Sequence, residues 1–238
     1  MKNHMLELRH VSKSFGGIKA VEDLSISVDQ GDIHCLIGPN GAGKTTAFRM
    51  ITGQYSLTSG KVLFEGKEIS GKKAHHIVQS GISMKMQIPG VFEALTIREN
   101  LRIAAGNYVR SREMEERIDE LIELVHIKDL GNRYVKNLSH GQQQWLEIAM
   151  ALATNPRLLL LDEPAAGMGP EETAFTGELV KELNKSGLTI LFIDHDMDFV
   201  KQIAQKVTVM HYGKLFAQGS VEEITHHDGV KQIYLGSV

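Results

Sequence analysis

No apolar run in this 238-residue chain approaches the ~18 residues that span a bilayer, so the chain does not cross a membrane by itself. Its opening, Met1-Lys2-Asn3-His4-Met5-Leu6-Glu7, lacks an apolar stretch with a small-residue cleavage site, which predicts retention in the cytoplasm. Cysteine is nearly absent. Cys35 alone excludes an intrachain disulfide framework and, within an apolar run, is expected to be buried and inert. Excess positive charge is missing too: 26 Lys+Arg against 29 Asp+Glu give a net charge of −3 and a pI near 6.4. That balance offers no general basic surface for nucleic acid or an anionic membrane, and any such contact would be local. Eleven histidines include the pairs His75-His76 and His226-His227, but adjacent side chains diverge and no cysteine accompanies them, so no structural metal site is expected. Internal repeats and low-complexity tracts do not stand out.

What is present is an ordinary globular balance, 42% apolar and 23% charged, in a length that suits one large α/β domain or two lobes sharing a core; two lobes are expected. Leu6 to Val11 and Leu24 to Val28 alternate apolar with polar residues and predict half-exposed antiparallel strands. Gly60 to Glu65 predicts another strand. From Leu95 to Ala153 strand signals vanish, and Met114, Ile118, Leu121, Ile122 and Val125 recur at helical spacing, as one helix packed on its neighbour requires. Continuous apolar strands return at Leu158 to Leu161, Thr189 to Ile193 and Lys206 to Met210, separated by helical segments, which argues a mainly parallel sheet with both faces covered.

Gly38-Pro39-Asn40-Gly41-Ala42-Gly43-Lys44-Thr45-Thr46 follows the apolar run Ile33 to Ile37 and precedes a predicted helix from about Lys44 to Thr52. Glycines let main-chain N–H groups close around a polyphosphate, Lys44 meets its terminal phosphates, Thr45 offers a hydroxyl to Mg²⁺, and the helix start favours the anion. This segment is a nucleoside-triphosphate site in sequence. Asp162-Glu163 follows Leu158-Leu159-Leu160-Leu161 in the form of a Walker B segment: Asp162 for the Mg²⁺ shell, Glu163 to polarise the attacking water, their division of labour permitted by alternating side-chain direction along a strand. Residues 38–46, Asp162-Glu163 and Asp194-His195 each follow a predicted strand and should converge on the carboxyl edge of one sheet.

A Ser hydroxyl and a Gly N–H in Leu138-Ser139-His140-Gly141-Gln142, at the start of a helix through Trp145 and Ala151, make either a second anion cradle or an ordinary helix cap. With the segments above and His195, this pentapeptide resembles the LSGGQ signature of ABC-type ATPases, over almost the whole chain. The resemblance implies a P-loop NTPase of ABC type: a mainly parallel sheet, an antiparallel β edge and an inserted α-helical lobe. It divides the chain into a core of about 1–94 and 156–225, a helical lobe of about 95–155 and a tail of about 226–238. It also implies ATP and Mg²⁺, and two such domains head to tail, each ATP lying between one phosphate loop and the opposite Ser139, Gly141 and Gln142.

Position by position, Gln87 resembles the glutamine that touches Mg²⁺ or water and reports to a membrane partner, and His195 the switch histidine at the γ-phosphate. Phe15 matches the aromatic platform under adenine, although a core phenylalanine is the competing reading. Three departures stand out: His140 replaces a glycine, Gly169 stands where many relatives have Asp, and Gln144 where a basic residue is common. Main-chain contacts are expected to substitute around Ala165 to Pro170.

A single phosphate loop and no basic elements set the chain apart from the soluble translation and DNA-repair relatives, so no nucleic-acid partner is expected. Residues 89–101, 162–168, 195–200 and 230–236 resemble the importer branch for branched-chain amino acids and small amides, and Met168 with Val207 to His211 leans toward urea uptake. Lipopolysaccharide-export ATPases are the alternative within transport. Implied partners are transmembrane permease subunits, a second ATPase subunit that is a related chain or another copy, and indirectly a solute-binding protein. The implied location is peripheral, on the cytoplasmic face of the cell membrane, with docking around Gln87 to Asn100.

Overall fold

A computed structural model of the protein describes residues 4–86, 90–106, 108–130 and 132–235. The chain opens on β1 (His4–Phe15) and β2 (Ile18–Asp29), then β3 (Ile33–Ile37) and α1 (Lys44–Ile51). β4 (Ser59–Phe64), β5 (Lys67–Glu68), α2 (Ala74–Gln79) and β6 (Ile82–Lys85) follow. Helices α3 (Ile97–Ala105), α4 (Met114–Leu124) and α5 (His140–Leu152) come next. The chain then runs through β7 (Leu158–Asp162), α6 (Pro170–Lys185), β8 (Thr189–Ile193), α7 (Met197–Ile203), β9 (Lys206–His211), β10 (Lys214–Ser220), α8 (Val221–His226) and α9 (Asp228–Leu235).

Among the described residues these strands form two sheets, an antiparallel one ordered β2-β1-β4-β5 and a larger one ordered β10-β9-β3-β8-β7-β6, parallel except for β10 against β9. The β1–β2 hairpin runs well beyond the alternating segments read from sequence. His10 and Asp23 take φ of 51° and 52° and their side chains meet at 2.8 Å, so the register slips there and the alternation that marks a regular strand is broken.

The continuous apolar strands are explained by burial on both faces. Leu158 and Leu160 join Leu36, Leu191 and Met210 in the cluster under the antiparallel sheet and α1. Their neighbours Leu159 and Leu161 join Cys35, Phe192 and Val209 in a second cluster with the helices. Cys35 is buried, and burial pushes its thiol pKa well up, away from the reactive thiolate.

Helices α3 to α5 occupy the interval between β6 and β7. Thr96 starts α3 with a reciprocal cap, its hydroxyl accepting from Glu99 N at 3.3 Å and its own N–H donating to Glu99 Oε2 at 2.8 Å. On α4, Ile118, Leu121 and Ile122 turn inward with Val125 just beyond, and the outer face pairs Glu115 and Asp119 with Arg98 of α3 at 3.0 and 2.7 Å. The inward residues belong to the same apolar cluster as one face of the large sheet. Helical segment and sheet therefore share one continuous core rather than two.

Candidate functional site

Parallel pairing aligns the ends of three strands. Leu36 of β3 lies opposite Ile193 of β8, and Asp162 of β7 opposite the same Ile193, so residues 38–46, Asp162-Glu163 and Asp194-His195 leave one edge of the sheet side by side. This is the edge at which ligands of such sheets sit.

The loop after β3 can turn only because of its glycines. Gly38 has φ of 151°, and a Cβ there would lie 2.2 Å from Met210 O; Gly43, just before α1, has φ of 98°, and a Cβ would lie 2.5 Å from Ala20 O. Lys44 Nζ donates to Gly38 O at 2.6 Å and Pro39 O at 3.1 Å, spanning the loop. Burial lowers the Lys44 pKa, opposed by the Glu163 and Asp162 carboxylates. A cleft of about 440 Å³ is lined by Asn40, Gly41, Ala42, Gly43, Lys44, Thr45 and Thr46 with Phe15, Ala20, Glu163 and Ile193. Phe15 is 42% exposed at the end of β1, its ring edge-on to Tyr55 at 5.1 Å, which sets aside the core-phenylalanine alternative.

Asp162 is 2% exposed. Burial first, and the neighbouring Glu163 second, raise its pKa to about 6. The Asp162 carboxyl and the Thr45 hydroxyl at the first turn of α1 are hard oxygen donors of the kind a divalent cation takes. Glu163 departs from the sequence expectation in one respect. β7 ends at Asp162, and Glu163 takes φ of 48° with its N–H donating to Ile193 O at 2.9 Å. Its direction is thus set by a left-handed residue pinned to the neighbouring strand, not by strand alternation. His195 Nδ1 lies 3.4 Å from Glu163 Oε1. Asp194, expected at this edge with His195, holds the backbone there by accepting from His195 N at 2.8 Å and Asp196 N at 3.0 Å.

On the other side of the loop an open cleft of about 810 Å³ joins Gly38, Pro39, Glu163 and His195 to Tyr212 and to Tyr234 of α9. Tyr234 was legible only as part of a tail; nothing local in sequence ties it to the phosphate loop. The signature residues are elsewhere. Ser139 caps α5, its hydroxyl accepting from Gln142 N at 3.2 Å and its N–H donating to Gln142 Oε1 at 3.0 Å. A Cβ at Gly141 would lie 2.4 Å from Glu172 Oε1 of α6. Neither Ser139, Gly141 nor Gln142 lines either cleft around Lys44. His140 Nε2 donates to Ala166 O at 3.1 Å, so this residue joins the start of α5 to residues 165–169. Gln87 lies outside the described residues.

The ABC transporter family profile matches residues 21–166. The chain is 35% identical to the high-affinity branched-chain amino acid transport ATP-binding protein BraF of Pseudomonas aeruginosa, over 99% of each chain. It is 34% identical to the lipopolysaccharide export system ATP-binding protein LptB of Haemophilus influenzae, over 98% of this chain and 97% of that one. A solved ATP-binding cassette of an ABC transporter superposes with a TM-score of 0.91 at 32% identity, over 97% of this chain and 98% of the other. A profile covering more than half the sequence, full-length relatives and a matching fold establish that the chain belongs to the ABC transporter family, as one of its ATP-binding, ATP-hydrolysing subunits.

Proposed function

We propose that the protein powers an importer for branched-chain amino acids or a related small amide such as urea. In this reading two cassettes, two copies or this chain with a related ATPase, face head to tail. Each ATP is held by Gly38 to Thr46 and Phe15 of one and closed over by Ser139, Gly141 and Gln142 of the other. The full-length likeness to BraF supports the importer reading, and the absence of Ser139, Gly141 and Gln142 from the clefts beside the phosphate loop supports the paired arrangement.

Within the site, Lys44 and the loop N–H groups bind and orient the phosphates, and Glu163 accepts a proton from the attacking water. His195, bracketed by Asp194 and near Glu163, orients toward the γ-phosphate. Thr45 and Asp162 would hold Mg²⁺, which would supply charge neutralisation of the phosphates, and Gln87 is the third residue proposed to serve it. Residues 95–155 act as the lobe that moves against a core of 1–94 and 156–225, with 226–238 as a tail.

A groove of about 350 Å³ between β6 and α5, walled by Val78, Met84, Met86, Gly90, Ala104 and Met150, suits an apolar segment of a permease, with Phe92 exposed nearby on the same stretch of chain. Such docking places the chain on the cytoplasmic face of the membrane, with a solute-binding protein acting beyond the permease. The likeness to LptB favours one second reading, lipopolysaccharide export. Copurifying the chain with its permease and reconstituting the complex in vesicles tests both. ATP-driven uptake of labelled leucine or urea supports import, extraction of lipopolysaccharide supports the second reading, and neither activity overturns both.

A further inference from the structure

Lys85 is a charged residue in an unexpected place: it ends β6 with its side chain fully buried. Its ammonium donates to Met86 O at 3.3 Å and to Asp162 O at 3.4 Å, and lies 4.0 Å from Glu147 Oε2. Glu147 stands on α5, the helix that Ser139 caps, with a side chain 6% exposed. Its Oε1 accepts from Gly90 N at 2.5 Å, and its Oε2 is buried with no hydrogen-bond partner. Burial raises the Glu147 pKa and lowers that of Lys85, each opposed by the other's charge. Four points of the molecule meet in this pair: the backbone of Asp162, the chain on either side of residues 87–89, and α5.

Stability alone does not account for such a pair. Burying two charges costs several kcal/mol per ion before their attraction is counted, and well-packed apolar residues of similar volume are commonly as stable or more so. What the charges add is fixed geometry between segments that touch different ligands. We propose that Lys85 and Glu147 are positioning residues that join the carboxylate end of β7 to the helix bearing Ser139 and to Gly90 at the mouth of the apolar groove. Nucleotide engaged at Asp162-Glu163 and a permease segment in the groove then act on the same buried contact. The second half of this statement rests on the groove being the permease seat; the first does not.

The test is a double-mutant cycle in the full-length chain, Lys85→Met, Glu147→Gln and both together, read as ATPase kcat and KM per folded protein and, separately, as melting temperature. Glu147→Gln keeps an acceptor for Gly90 N, so the fold is retained while the charge is lost. Each single substitution is expected to lower kcat about tenfold with KM within about twofold, and the double to be no slower than the slower single, because both remove one contact. Wild-type kcat in both singles, multiplicative losses in the double, or a loss that only mirrors the unfolded fraction would each overturn the proposal. The same proteins in the permease complex report on the groove. If the wild-type chain is not stimulated by the permease, the seat is elsewhere and the kinetic cycle in the isolated chain still decides the Lys85–Glu147 link. If stimulation is normal and the cycle is flat, the link alone fails.

Discussion

The two segments proposed to meet phosphate are built differently. The loop at 38–46 is shaped by glycines in backbone conformations closed to other residues, leads into α1, and faces the carboxylates of Asp162 and Glu163. The segment at 139–142 is a side-chain cap whose hydroxyl accepts from Gln142 N within its own helix and donates to Glu172 Oε1 of α6 at 3.4 Å, with Ser139 and His140 exposed at its start. The first segment finds its chemical neighbours within the chain; the second lines neither cleft beside the loop. In the proposed paired arrangement, that asymmetry would separate a grip within one protomer from a seal supplied to a facing one.

The strongest way to break this contrast is at the grip. Glu163→Gln removes the proposed proton acceptor while keeping shape, and hydrolysis is expected to fall by roughly 10²–10⁴, about 3–5 kcal/mol of barrier, with ATP binding retained. Single-turnover hydrolysis alongside equilibrium nucleotide binding checks it; ordinary turnover would remove Glu163 from the chemistry and leave the 38–46 loop a binding element only.

Next in size is the strand beneath the loop. His34 of β3 is fully buried, with Nε2 at 2.7 Å from Thr208 Oγ1 and Nδ1 without a partner. Burial pushes its pKa down from 6.5 to about 4. Between those values the unfolded chain binds more protons than the folded one, so stability falls as the pH drops from 6.5 toward 4, by about 3 kcal/mol for this group. Urea titrations across that window should show the slope flattened by His34→Gln. An unchanged slope would place acid sensitivity outside the phosphate-loop strand.

The same contrast explains what the sequence disclosed. The grip was readable because its parts are contiguous: the glycines, Lys44 and Thr45 sit in one stretch, and a run of four leucines announces Asp162. Glu163's left-handed backbone was not, since the acid after an apolar strand reads as the next strand position. Lys85 and Glu147 were missed because their relation exists only once β6 lies beside α5, although a lysine closing Ile82-Ser83-Met84 was a local signal. The β1–β2 hairpin was underestimated for a third reason, the register slips that erase its alternation.

Turning to the seal, Ser139→Ala is expected to cost about 1 kcal/mol through the lost cap. Its larger meaning lies in kinetics. If Ser139 closes over a neighbour's nucleotide, half-maximal specific ATPase activity should require a higher protein concentration, while ADP affinity of dilute protein stays at the wild-type value. Equal losses in both measurements would mean that Ser139 serves only its own helix.

The smallest expected effect is at His140, and it bears on how the seal is held. The bond from its ring to Ala166 O is exposed, and a hydrogen bond of that kind contributes about 0.5–1 kcal/mol. His140→Ala should therefore barely move the denaturation midpoint. Residues 165–168 nevertheless lose the contact that fixes them to the start of α5, and Gly167 there, at φ of 74°, has the His140 ring as its near neighbour. Faster amide exchange confined to 165–168, with exchange at 38–46 unaltered, is the expected signature of a tether local to the seal. Exchange that quickened equally in both segments would mean that grip and seal are already coupled inside one chain, and the contrast between them would narrow accordingly.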